Sequence, residues 1–503
     1  RLSAAAGKKN VFHGFLTCAP SMRENTFCRT SAWRGHTMGL SPGKEAALFS
    51  RRQISYRSSS RRSSSGLSVI AMLLILALAG VGAYFLMRDL SGPSVTTNPE
   101  LSGRIGLLQN VELNLADKSG VQSVSVTVKR GDQSMTVLQQ TFGSLEKTQK
   151  VSFNLKETRL PEGAFELEIK AVDGSYAGFG RGNTTTLNLP MVLDSQPPRI
   201  AVRTGPPAMY RGGSGLIVYT VSEEVAQTGV RVGDLFFPGY KRDNESYVCL
   251  FPFPISLRTG DFLPEIMARD LAGNITSSRL LVHALNRNYR ADTLNIPESF
   301  LNFKASELAQ LCPEESTPLA QYLCSNNKVR EGNDATLIRV AVDPANNSPR
   351  FLWSGAFRRL PRSAVKANFG DFRTYVDGNR QKIDEQTHMG LDLASVAHAE
   401  VPAAQSGRVV WVDYLGIHGN MILIEHGLGL MTQYSHLSEY GVKVGDEVKA
   451  GQIIGRTGTS GLAGGDHLHF GVLVGGVPVQ PLEWLDPSWV KNNITSRMNI
   501  NLN

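Results

Sequence analysis

Cysteine is scarce, with five residues in 503, and none lies near the histidine motifs of the last quarter. Nitrogen and oxygen donors without thiolate argue against iron–sulfur chemistry and against a closed structural zinc site. A His-Glu-x-x-His helix is also absent, so the usual glutamate base of a zinc protease is unavailable. A net basic excess is missing from most of the chain. Residues 1–65 carry twelve Lys/Arg against two acids, which turns a formal +8 into −2 for everything after them. A nucleic-acid partner is therefore poorly supported, and the basic block reads as a topological signal.

Long apolar runs are lacking except for Leu67 to Met87, which contains no charge. As a helix it would measure about 31 Å, enough for a bilayer core of about 30 Å. Arg51, Arg52, Arg57, Arg61 and Arg62 precede it, while only Arg88 with Asp89 follows closely. The expectation is a single transmembrane helix over 66–88, with the N-terminus cytoplasmic and the C-terminal bulk exported. A cleaved signal peptide is the alternative, but no clear Ala-x-Ala site follows. The chain opens on Arg1 and its first fifty residues lack periodicity. Residues 1–65 are read as disordered, with Met22 or Met38 as a possible start.

The rest reads as mainly β. Val124, Val126 and Val128 alternate with polar residues, as do Phe165, Leu167, Ile169 and Ala171 ahead of Asp173-Gly174. A break at Gln196-Pro197-Pro198 opens a second block containing Leu216 to Val221 and Ile266 to Asn274. Two immunoglobulin-like sandwiches are expected, over 92–196 and 197–290, forming a stalk. Residues 291–345 change to a helical linker: Phe300, Phe303, Leu308, Leu311, Leu319 and Leu323 recur at near-helical spacing, broken by Pro313 and Pro318. A Cys312–Cys324 disulfide would suit an exported protein, with Cys249 a buried free thiol. A C-terminal domain over 346–490 and a tail over 491–503 complete the chain. Within that domain Gly407 to Val412, Asn420 to Glu425 and Leu430 to Ser435 are glycine-separated runs expected to form a compact antiparallel sheet.

The chemistry lies in this domain. His388-Met389-Gly390-Leu391-Asp392, the lone His436 in Tyr434-Ser435-His436-Leu437, and His467-Leu468-His469-Phe470 outline a three-ligand zinc site with two spare histidines. Strand alternation points His467 and His469 one way while Leu468 and Phe470 face packing. The same alternation sends Leu391 and Leu393 to one side and Asp392 to the other, toward His388. Each motif alone arises freely by chance; their order, spacing and glycine framing carry the reading. His398, His418 and His426 have no motif role.

From about Phe369 to Trp489 the chain resembles the lysostaphin/LytM-type zinc metallopeptidase family, whose His-x-Gly-x-Asp, central His and His-x-His-Phe pattern is complete here. The run Gly455 to Gly461 and Gly419-Asn420 also fit. The resemblance implies an antiparallel β fold of the duplicated hybrid motif type, one zinc ion held by His388, Asp392 and His469, and catalytic roles for His436 and His467. It further implies hydrolysis of peptidoglycan stem peptides at a cross-link, a cell-wall protein as partner, and a place in the bacterial inner membrane with the catalytic domain periplasmic.

Zinc with two imidazoles and one carboxylate would acidify water to near neutrality and polarise a carbonyl. Imidazole titrates near the working pH, so His436 and His467 suit the proton and the oxyanion, without the sequence deciding which takes the proton. Two other readings compete. Val442 to Gln452 resembles the hammerhead turn of lipoyl and biotinyl carrier domains, which leaves the histidines unexplained. Relatives that have lost zinc ligands act as regulators of wall amidases, but all five residues are retained here.

Overall fold

The computed structural model describes residues 65–87 and 89–499, so the basic segment with Cys18 and Cys28 lies outside the described residues. The chain divides into two units at Ala79 and Gly80. A helix forms over Ser65–Met87, with Met72, Leu73, Ile75 and Leu78 exposed. Among the described residues, however, no helix is long and apolar enough to cross a membrane. The expected N-terminal transmembrane helix is thus corrected: the apolar run forms a helix, but none among the described residues meets the combined length and apolarity of a span.

In the first β block a three-stranded sheet (Ser94–Asn98, Val111–Ala116, Thr148–Phe153) faces a five-stranded one built around Val121–Arg130 and Gly163–Asp173. Val111, Leu113 and Leu115 from one sheet share a core with Val124, Val126, Leu167 and Ile169 from the other. The second block also has two sheets, each of four strands, centred on Ser214–Val221 with Ser246–Pro252 and on Val225–Val232 with Glu265–Asp270. Its core runs without interruption into that of the C-terminal domain. A half-buried ion pair, Arg287 to Glu483 at 2.9 Å, reinforces that junction. Cys249 is a buried free thiol, its pKa pushed up to about 12 by burial.

The segment read as a linker is bound into the C-terminal domain. Its strand Ala291–Asn295 pairs in parallel with Phe372–Val376, which pairs with Lys382–Thr387. Helices Glu298–Leu311 and Pro318–Cys324 follow, the second capped by the Thr317 hydroxyl, which accepts from the Ala320 N–H at 3.2 Å, and started by Pro318. The Cys312–Cys324 disulfide joins them. A single π turn, Ser325–Val329, leads into a third helix, Arg330–Val342.

A ten-stranded antiparallel sheet forms the rest. Its central path runs Leu391–Ala394, Leu468–Val474, Leu430–Tyr440, Asn420–Glu425 and Gly407–Tyr414. The first three of these strands carry or flank the histidine motifs.

Candidate metal centre and active-site cleft

Strand register brings the motifs together. Asp392 lies opposite His469 on the neighbouring strand, and Ser435, next to His436, lies opposite His469 on the other side. Leu391 and Leu393 are fully buried in the core, which leaves Asp392 facing the other way. Likewise Leu468 and Phe470 are buried in packing while His469 faces Asp392. His388 sits in the connection between Lys382–Thr387 and Leu391–Ala394. A Cβ on Gly390 would meet Nε2 of His469 at 2.6 Å, so glycine is required for the ring to approach this turn.

His388 Nε2, Asp392 Oδ1 and His469 Nδ1 form a nearly equilateral triangle with sides of 2.9, 3.0 and 3.1 Å. A tetrahedral ion with ligand bonds of about 2.0–2.2 Å needs its ligand atoms roughly 3.3 Å apart, so the triangle fits after slight expansion. The donor set fits as well. His388 Nδ1–H donates to the Asn368 carbonyl at 2.8 Å, which leaves a lone pair on Nε2 at the triangle. Arg373 donates to the outer oxygen of Asp392 at 3.0 Å and holds the carboxylate in place. Burial pushes the Asp392 carboxyl up, but His388, with the hydrogen bonds from His467 and His469, outweighs it and keeps the group well below the usual carboxylate range. Burial lowers His469 to about 4, which favours the neutral ring a ligand must be.

The two remaining histidines flank the triangle. His436 has its ring centroid 4.8 Å from that of His467 and 5.9 Å from that of His469. Its backbone φ of +63° is unusual for a residue with a side chain, and the conformation is held where Nδ1–H donates to the Ser460 carbonyl at 2.8 Å. That bond leaves Nε2 as the free acceptor, and burial, followed by the nearby imidazoles, keeps the ring well below its usual pKa. His467 donates from Nδ1 to the Gly465 carbonyl at 2.7 Å and presents Nε2 to Asp392 Oδ1 at 3.6 Å. Burial lowers its pKa, but Asp392 more than compensates and the net shift is upward.

All five side chains predicted for the site line one cleft of about 650 Å³. The sequence missed a sixth lining group, His418. Its Nδ1 accepts from the buried Gln433 amide at 2.9 Å, so its N–H is on Nε2, and that atom is closed to solvent without a partner. No motif marks it; the one hint is its place just before Gly419-Asn420. His426 belongs to the core instead, donating to the Ser406 carbonyl at 2.8 Å and contacting the Thr432 hydroxyl at 2.7 Å. His398 is exposed on the surface. The far wall of the cleft comes from the helical segment, through Phe300, Tyr322, Asn326 and Arg330. The sequence reading assigned no residue of that segment to the site.

Comparison with known proteins finds relatives of the C-terminal part of the chain. Residues 386–481 match peptidase family M23. Over 87 residues the chain is 46% identical to lysostaphin of Staphylococcus staphylolyticus, which covers 16% of this chain and 18% of that protein. Over 131 residues it is 34% identical to the peptidoglycan DD-endopeptidase ShyA of Vibrio cholerae, 25% of this chain and 30% of that one. The chain thus spans less than a third of the length of these curated relatives. Among solved structures, the catalytic domain of lysostaphin from Staphylococcus simulans matches with 30% identity and a TM-score of 0.23, covering 26% of this chain and 98% of that one. The C-terminal part of this chain is a peptidase family M23 domain, with lysostaphin among its relatives.

Proposed function

We propose that the chain is a zinc endopeptidase that hydrolyses peptide bonds of bacterial peptidoglycan, at cross-links between stem peptides, outside the reducing cytoplasm. The observation that carries this reading is the triangle of His388, Asp392 and His469 donor atoms at the base of a cleft that also holds His436 and His467. The substrate class is supported by the Vibrio relative, a peptidoglycan DD-endopeptidase. Disulfides persist in oxidising compartments, so the Cys312–Cys324 bridge supports an extracytoplasmic site of action.

His388, Asp392 and His469 would hold the zinc ion, which when bound supplies Lewis acidity that acidifies water and polarises a carbonyl. The protein does the rest. Asn368 and Arg373 keep two of the ligands oriented. His436 takes the proton at Nε2, because its Nδ1–H is committed to Ser460. His467, whose proton-bearing form Asp392 favours, donates from Nε2 to the oxygen on which negative charge develops. The helical wall narrows access to an extended peptide.

Incubating purified peptidoglycan with the protein and analysing the products by mass spectrometry tests this directly. New peptide fragments that vanish with chelator and return with zinc are expected. Intact peptidoglycan from a sample with stoichiometric zinc would refute the proposed substrate.

A further inference from the structure

The helix Glu298–Leu311 lies outside the stretch that matches peptidase family M23, yet it grips the loop that orients His436. Lys304 on this helix is 2% exposed, which is extreme for a lysine. Its ammonium donates to the Thr459 carbonyl and also pairs with Glu307 at 2.6 Å. The other Glu307 oxygen accepts the Gly461 N–H at 2.9 Å. One ion pair therefore holds residues 459 and 461, on either side of Ser460.

Ser460 is the residue whose carbonyl accepts from His436 Nδ1. Its hydroxyl is committed as well, donating to the Leu437 carbonyl at 2.8 Å and accepting the Asn420 N–H at 2.9 Å. Glycine on both sides lets the backbones meet, since a Cβ on Gly419 would lie 2.3 Å from the Ser460 carbonyl carbon. Gly458 and Gly461 flank the loop and widen its backbone freedom, so its own sequence does little to settle the direction of that carbonyl. The grip from the helix supplies the constraint.

We propose that Lys304 and Glu307 are positioning residues for catalysis: they fix the 459–461 peptides so that the Ser460 carbonyl holds His436 with Nε2 toward the substrate. A segment added to the family domain thereby becomes part of its catalytic apparatus. This inference rests on the assignment of His436 as the proton acceptor. Burying the Lys304 ammonium against a half-buried Glu307 is a costly way to join a helix to a loop when apolar contacts would serve, and it is explained if orientation is what is needed.

The test uses the full chain, loaded with zinc, carrying Lys304→Met or Glu307→Leu, with Glu307→Gln as the conservative variant that keeps an acceptor for Gly461. The expected result is a fall in kcat of about 10- to 100-fold with KM and zinc content little changed, in protein still folded at the assay temperature even where the lost charge lowers the melting temperature, and substantial recovery in Glu307→Gln. Unchanged kcat, or loss of activity in step with loss of zinc or of folding, would overturn the proposal. In parallel, the His436 side-chain Nδ1–H resonance is followed by nitrogen-15 NMR. If the wild type itself cleaves no peptidoglycan, the proposed function fails and this signal decides the present point: displacement in Lys304→Met and Glu307→Leu supports the grip, and an unmoved signal refutes it.

Discussion

The first sandwich and the C-terminal sheet use the same two-residue alternation and bury different things. Along Gly163–Asp173 Phe165, Leu167, Ile169 and Ala171 go inward between more exposed residues, and polar burial is confined to the end of the strand, at Asp173. Along Leu430–Tyr440 the first eight residues are all buried, and Thr432, Gln433, Ser435 and His436 are among them. A central strand covered on both faces has no solvent side on which to place its polar residues. Each must then find a buried partner or serve chemistry. Thr432, bonded to His426 and Tyr434, meets the first condition, and His436, in the role proposed for it, the second. The contrast teaches that in this chain buried polarity, rather than sheet architecture, separates scaffold from site.

The largest effect expected from breaking that contrast is at the triangle. His388→Ala should lose bound metal and lower peptidoglycan cleavage by more than about 100-fold, beyond the usual cost of losing an outer partner of a ligand. Metal analysis and product formation on the same sample check it. His436→Ala should retain the metal and lower turnover by about 10²- to 10⁴-fold, the usual share of a general acid–base group. Loss of metal in that variant would show that His436 is a ligand. By contrast, Leu167→Ala in the first sandwich should cost about 2–5 kcal/mol of stability in denaturant unfolding while leaving zinc content untouched.

Core histidines sharpen the comparison through pH. Burial lowers His426 from 6.5 to about 4, so the unfolded chain binds this proton more readily than the folded one. Its contribution is complete above about pH 6.5 and is lost as pH falls through about 4, amounting to about 3 kcal/mol. Unfolding measured across that window should show a shallower slope in His426→Gln. A smaller effect, about 10-fold in metal affinity, is expected of Arg373→Gln, which frees the outer oxygen of Asp392. Competition with a chelator measures it.

Much of the site was legible because its signals are local. His388 with Asp392, and His467 with His469, sit at spacings a strand resolves into faces, and the structure places all five side chains in one cleft. The strands over 407–435 were legible for the same reason, from β-branched runs framed by glycine. What escaped depends on contacts distant in sequence. Ala291–Asn295 pairs with a strand about eighty residues later, so it carries no local mark of its partner. The helix Arg330–Val342 has Asn, Gly and Thr in its interior and a weak apolar stripe, and tertiary packing of Leu337, Val340 and Ala341 determines it. Lys304 and His418 read as ordinary polar residues until the loops they touch are in place. The apolar run at 67–87 was legible as a helix and misread as a span.

The most direct test of the central claim is anomalous X-ray scattering at the zinc edge from crystals of active protein. One peak is predicted, within about 2.0–2.2 Å of His388 Nε2, Asp392 Oδ1 and His469 Nδ1. A peak elsewhere in the molecule, or none in crystals of a sample that cleaves peptidoglycan, would contradict it.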